Sequence, residues 1–220
     1  MPLLDLEAFR QAPLAREPFL YTVVPSLVAA ADASQILEDF PKIDHPGLLP
    51  VEATTYGLRF GELIDELQSE AVARAFSEKF DLDLVGRPTM ITVRGRCQEK
   101  DGRIHTDSEA KLVTALLYFN DRWDAPGGRL RLLRGPDNLD EAIAEVPPDS
   151  GTLVAFRRSD RSFHGHEPYT GVRRYVMINW MASGLAARRD LLRHHISARA
   201  KRLLSHVAPR RAAASAGRHA

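Results

Sequence analysis

The sequence predicts a mainly β domain with flanking helices, an antiparallel sandwich or jelly roll, and three observations carry that expectation. From Pro88 onward, short β-rich runs follow one another with turn residues between them. No regular helical spacing separates these runs, which argues against alternating βαβ units and a parallel sheet. Before Gly86 the apolar residues instead recur at helical spacing around one extended segment.

Taken in order, Pro18 to Val24 reads as extended, and Ser26 through Phe40 as a helix with Ser26 as its capping candidate. Leu63, Ile64, Leu67, Val72, Phe76 and Phe80 are spaced for one or two amphipathic helices, broken near Gln68 and Ser69. The acids Glu62, Asp65 and Glu66 sit near the start of the first, where a helix dipole favours them. The expected strands are Thr89 to Cys97, Lys111 to Asn120, Arg129 to Leu133, Thr152 to Arg157 and Arg173 to Met181. Turns separate them at Pro126-Gly127-Gly128, Gly135-Pro136-Asp137-Asn138 and Pro147-Pro148-Asp149-Ser150-Gly151. After Gly184 an apolar stripe of Leu192, Ile196, Ala200, Leu203 and Val207 resumes helical spacing. The chain thus divides into a helical and strand buttress over 1–87, a jelly-roll core over 88–184 and a basic amphipathic helix over 185–208. A tail over 209–220 has no apolar periodicity and is expected to be disordered.

Composition narrows the function classes. With 44% hydrophobic and 27% charged residues in 220, the chain has the balance of one globular domain. Its longest apolar runs, such as Leu112 to Leu117, fall far short of the roughly 20 residues a membrane helix needs, and Met1-Pro2-Leu3-Leu4-Asp5 lacks a basic leader region. A cytoplasmic location is expected. Cys97 is the only cysteine, so a Cys-rich zinc site and a thiol redox pair are both excluded. Any metal must be held by nitrogen and oxygen. The net charge of +1 conceals an asymmetry: residues 185–220 hold nine Lys and Arg against one acid, so the remainder carries −7. Such an end either solvates a helix face or contacts an acidic partner or nucleic acid; the solvated face is the simpler expectation.

The chemistry is concentrated in His105-Thr106-Asp107, because residues i and i+2 of an extended chain project to the same side and can share one metal. His164 or His166, on a β-rich segment close to a pair of arginines, supplies a second imidazole. Two histidines and one carboxylate leave three coordination positions open on iron, which suits a chelating co-substrate and O2, whereas structural zinc more often takes a closed site.

The segment from Gly102 to Trp180 resembles the prolyl-4-hydroxylase-like group of 2-oxoglutarate and iron(II)-dependent dioxygenases. The motifs that carry the resemblance are Gly102-Arg103-Ile104-His105-Thr106-Asp107, Leu112-Val113-Thr114-Ala115-Leu116-Leu117-Tyr118-Phe119-Asn120 and Gly127-Gly128-Arg129-Leu130-Arg131-Leu132. They continue through Gly151-Thr152-Leu153-Val154-Ala155-Phe156, Ser162-Phe163-His164-Gly165-His166-Glu167-Pro168 and Gly171-Val172-Arg173-Arg174-Tyr175.

The resemblance implies a double-stranded β-helix, the jelly-roll form, with Fe(II) held by His105, Asp107 and His164. A histidine followed four positions later by proline selects His164 through Pro168, leaving His166 as a substrate contact or a structural residue. It also implies 2-oxoglutarate and O2 as co-substrates, with ascorbate as a compatible reductant. The distal carboxylate of 2-oxoglutarate is expected on an arginine of the strand after the distal histidine, with Tyr118 as a hydrogen-bonding neighbour. Strand parity groups Arg174 with Val176, Ile178 and Trp180, the more inward-looking set, and Arg173 with Tyr175, Met177 and Asn179. Arg174 is therefore expected inside and Arg173 outside. Arg94 and Arg96 share one parity and are expected on an outward, solvated face, as are Arg129 and Arg131.

The expected reaction is hydroxylation of a C–H bond in a small molecule or peptidyl residue, with release of succinate and CO2. Asp107 argues against halogenation, in which a small residue replaces that carboxylate. Two other classes compete: a non-catalytic jelly roll with a basic partner- or nucleic-acid-binding arm, and a cupin-like metalloenzyme without 2-oxoglutarate. Retention of all three ligands and Arg174 disfavours both.

Overall fold

The computed structural model describes residues 2–185; the expectations for residue 186 onward, including the basic helix and the tail, lie outside them. The chain runs α1 (Leu6–Gln11), β1 (Tyr21–Val24), α2 (Ala30–Glu38), β2 (Leu49–Pro50), α3 (Leu58–Leu67), α4 (Glu70–Phe80), β3 (Thr89–Cys97), β4 (Lys111–Tyr118) and β5 (Leu130–Leu133). It closes with β6 (Ala142–Val146), β7 (Leu153–Arg157), β8 (His164–Gly165) and β9 (Gly171–Met181). The break between α3 and α4 falls where the sequence places it. Gln68 ends α3, and Ser69 caps α4 by accepting from the Val72 amide at 3.3 Å.

Helix α2 starts at Ala30 rather than after Ser26, for a reason outside the local sequence. The Leu27 amide donates to the Gly151 carbonyl at 2.9 Å, and the Leu27 carbonyl accepts from the Asp5 amide at 2.8 Å. With those groups engaged in long-range pairing, the helix begins only where the backbone is free.

Two antiparallel sheets follow: six strands in the order β1-β7-β4-β9-β3-β2, and three in the order β6-β5-β8. The architecture is a mainly β jelly roll with flanking helices, and the sheets remain two rather than closing into a barrel. Strands β1 and β2, from the first 87 residues, are the edges of the large sheet.

Both faces of that sheet are buried. On one face Ile91, Val93, Val113, Ala115, Leu117, Val176, Ile178 and Trp180 pack with residues of the helices, among them Phe60, Leu63 and Phe76. The Trp180 and Phe76 rings lie 4.6 Å apart. On the other face Leu116, Tyr118, Val154, Phe156, Tyr175 and Met177 meet Leu130, Leu132 and Val146 of the small sheet. Strands covered on both sides lose the alternation of apolar and polar residues that would mark an inner face. Among the described residues, no helix is long and apolar enough to cross a membrane.

Candidate metal and co-substrate site

The site is built where β8 meets the loop entering β4. The His105 amide donates to the His164 carbonyl at 3.1 Å and the His164 amide to the His105 carbonyl at 3.0 Å. A directly opposed antiparallel pair projects its side chains to one side, and the two imidazole centroids lie 4.3 Å apart. Gly102 makes this approach possible. Its φ of +90° favours glycine, and a Cβ there would fall 2.4 Å from His166 Nδ1.

His105 Nδ1 donates to the Arg103 carbonyl at 2.9 Å, and His164 Nδ1 to the Ser162 carbonyl at 3.0 Å. Because a carbonyl only accepts, the neutral form of each ring carries its proton on Nδ1, which leaves the Nε2 lone pair for a metal. Asp107 completes the group: one ligand atom from each of the three residues lies within 4.8 Å of the others. Its carboxylate is oriented from both sides, by Lys111 Nζ on Oδ1 at 2.7 Å and by the Thr114 hydroxyl on Oδ2. Thr114 in turn stands beside Asn179 Oδ1 at 2.9 Å on the neighbouring strand.

Burial acts to raise the Asp107 carboxyl, but the Lys111 ammonium, then His164 and hydrogen bonds from Lys111 and Thr114, hold it down at about 2. Burial pushes His164 down to about 4, helped by His105 and opposed by Asp107. At neutral pH the group therefore presents an anionic carboxylate and a neutral His164 imidazole, the forms that bind a metal cation.

Behind this group lies a cavity of about 310 Å3 lined by Arg94, Lys111, Leu116, Leu130, Arg173 and Tyr175, among others. Arg173 is 2% exposed, donates from Nε to the Gly128 carbonyl at 2.7 Å, and lies over the rings of Tyr118 and Tyr175. Its terminal nitrogen is 3.4 Å from the Tyr118 hydroxyl. Among the described residues no carboxylate forms an ion pair with it. Burial pushes the Tyr118 hydroxyl up to about 12 against the pull of Arg173, so it stays protonated and can donate.

Several expectations need correction here. Arg174 does not reach the cavity: its side chain lines shallow clefts on the outer surface, one with Arg96 and Val172 and one with Asn120 to Ala125. The parity argument chose the wrong side because Val176, Ile178 and Trp180 are covered by helices, while Arg173, Tyr175 and Met177 face the cavity. Arg94 is likewise inside, with its side chain 12% exposed, paired with Asp101 and donating to the Tyr175 hydroxyl at 2.9 Å. A register shift between Arg94 and Arg96 breaks their shared parity and leaves Arg96 on an outer cleft.

His166 lines the cavity outside the three-residue group; burial, then Arg173, pushes it down to about 4. Reading the sequence missed Lys111, Thr114 and Asn179 as partners of the site. The available signal was that Lys111 follows Asp107 by four residues and that Thr114 and Asn179 are polar residues within otherwise apolar strands.

A two-histidine, one-carboxylate cluster is the ligand pattern of non-haem Fe(II) oxygenases, and here it lines a cavity together with a buried arginine. Residues 95–182 match the family model of the 2OG-Fe(II) oxygenase superfamily. The matched family implies Fe(II), 2-oxoglutarate and O2 as reagents. No curated protein matches the sequence.

Among solved structures, the chain is similar to a prolyl-4-hydroxylase from Pseudomonas putida, at 16% identity and a TM-score of 0.54, covering 80% of this chain and 90% of that one. It is also similar to a viral collagen prolyl hydroxylase from Paramecium Bursaria Chlorella virus-1, solved as a 2OG complex, at 14% identity and a TM-score of 0.51, covering 74% and 95%. A prolyl 4-hydroxylase from Phytophthora capsici gives 20% identity and a TM-score of 0.53, covering 77% of this chain and 61% of that one. At these identities the likeness is one of fold.

Proposed function

We propose that His105, Asp107 and His164 hold Fe(II), that Arg173 with Tyr118 binds the distal carboxylate of 2-oxoglutarate, and that the enzyme hydroxylates a C–H bond. The products would be the hydroxylated substrate, succinate and CO2, with one O2 consumed. The observation that carries this reading is Arg173: a fully buried guanidinium with no acid partner among the described residues, facing the same cavity as the three candidate ligands. An uncompensated buried cation is costly, so the cavity calls for an anion there, and a planar guanidinium suits a carboxylate.

When bound, the iron and 2-oxoglutarate supply the activation of O2. The residues of the chain do the rest. Ser162 and Arg103 carbonyls fix the imidazole tautomers, Lys111 and Thr114 orient Asp107, and Leu116, Leu130 and Met177 line the cavity with apolar surface that limits water. The substrate would be a small molecule or a peptidyl residue, in keeping with a cavity near the lower end of the usual range for small-molecule sites. The test is anaerobic addition of Fe(II) and 2-oxoglutarate, which should produce a weak visible charge-transfer band, followed by succinate formation on admitting O2. Absence of both from metal-loaded protein would refute the reading.

A further inference from the structure

The charges around the cavity do not balance once the proposed reagents are in place, and the inference that follows rests on that proposed function. Among the described residues three cations line the cavity, Arg94, Lys111 and Arg173, against two carboxylates, Asp101 and Asp107. Arg94 is matched by Asp101, and a histidine that holds the metal does so as the neutral imidazole and adds no charge. An iron dication and a 2-oxoglutarate dianion cancel each other. One positive charge is left over.

Its location follows from the contacts. Arg173 is turned toward the two tyrosines and the Gly128 carbonyl, the place proposed for the distal carboxylate. Lys111 Nζ lies 2.7 Å from Asp107 Oδ1 with its side chain 10% exposed, so among the described residues its only acid partner in the cavity is the carboxylate that a metal would share. The Lys111 ammonium would then stand beside the metal, in a cavity whose other walls include Leu48, Leu116, Leu130 and Met177. A buried charge in such surroundings is stabilised by a counter-ion.

We propose that the substrate carries a carboxylate that pairs with Lys111 next to the metal, which places an acid, free or as an Asp or Glu side chain, in the position to be oxidised. Lys111 is thus a specificity-determining residue. The same charge also repels a cationic group at this position, so lysyl and arginyl side chains are disfavoured.

The test is calorimetric titration of protein loaded with Mn(II) and 2-oxoglutarate, which binds without turnover. One arm uses small aliphatic and N-acetyl amino monocarboxylic acids, each against its carboxamide. The other uses acetyl-Ala-Glu-Ala-amide and acetyl-Ala-Asp-Ala-amide against their Gln and Asn counterparts. In at least one arm an acid should bind tenfold or more tightly than its amide, and that arm identifies a free or a peptidyl acid. Lys111→Met should bring the ratio to within twofold, whereas Lys111→Arg, which keeps the charge, should hold it above fivefold. Equal or absent binding of acid and amide throughout both arms overturns the proposal, as does a preference that survives in Lys111→Met. The wild-type ratio and Lys111→Arg decide the matter even if Lys111→Met is unstable. The visible band of the wild-type Fe(II) and 2-oxoglutarate form separates the two readings: without it the cofactor assignment fails, and with it a missing acid preference counts against this inference alone.

Discussion

The two faces of β9 are made by alternate residues of one strand yet serve opposite ends. Val176, Ile178 and Trp180 meet the helices in a dry apolar layer, while Arg173, Tyr175, Met177 and Asn179 face the cavity side. Both faces are buried, so burial does not tell them apart. The difference lies in what each side chain meets: the helix side is satisfied by dispersion and area, whereas the cavity side holds a cation without an acid and a hydroxyl that can donate. Apolar character along a strand therefore records where helices sit, and chemistry is found on the other parity.

The largest effects should come from the cluster at the cavity face. Asp107→Ala and His164→Ala should each lower coupled turnover by roughly a hundredfold or more and abolish the visible band, since losing one of three ligands releases and misorients the metal. His166→Ala should keep the band, because its ring stands outside the three-residue group. A His166→Ala protein without the band, alongside a His164→Ala protein that has it, would exchange the two roles.

The helix face should respond in stability instead. Trp180→Ala removes a side chain 1% exposed and packed against the Phe76 ring, and should cost about 3–5 kcal/mol in urea unfolding. The remaining folded protein should bind 2-oxoglutarate within about threefold of wild type. A large loss of affinity per folded molecule would show that the two faces are not independent.

A smaller effect is expected one contact removed from the metal. Thr114→Val deletes the hydroxyl that holds Asp107 Oδ2 and should weaken metal binding by roughly tenfold, at the lower end for groups that orient a ligand. Equilibrium dialysis against Mn(II) measures it, and an unchanged affinity would mean that Lys111 alone positions the carboxylate.

The metal-free protein should also lose stability in acid, chiefly from this face. His164 and His166 are both held at about 4 in the fold, against the usual 6.5. The unfolded chain thus binds more protons below 6.5, and stability present above that pH declines as pH falls toward 4. Between pH 7 and 5.5 the loss should be about 1 kcal/mol per histidine. A urea midpoint that is flat over this range would contradict the buried, neutral state of both rings.

Much of this was legible beforehand, and the failures have one origin. The cluster of His105, Asp107 and His164 could be named because i and i+2 geometry and a recurring motif are local properties, and α3 and α4 because their apolar spacing and the break at Gln68 and Ser69 are. The acids Glu62, Asp65 and Glu66 nevertheless lie beyond the first turn of α3, which starts at Leu58. Strand β8 is two residues long, β6 is exposed along much of its length, and α2 is delayed by pairing with Gly151, so none of these had a local signature. Arg173 and Arg94 were misplaced because the covering of the sheet's outer face and the register shift in β3 depend on the rest of the fold.

The most direct test of the central claim compares the two neighbouring arginines. 2-Oxoglutarate is titrated anaerobically into the Fe(II) forms of Arg173→Ala and Arg174→Ala, following the visible band. Truncating one partner of a buried charge pair costs roughly 3–5 kcal/mol. At about 1.4 kcal/mol per tenfold, that raises the dissociation constant in Arg173→Ala by about two to three orders of magnitude. Arg174→Ala, altered only on the outer surface, should stay within about threefold. Equal affinities, or the reverse ranking, would contradict the assignment of the inner face of β9 to 2-oxoglutarate.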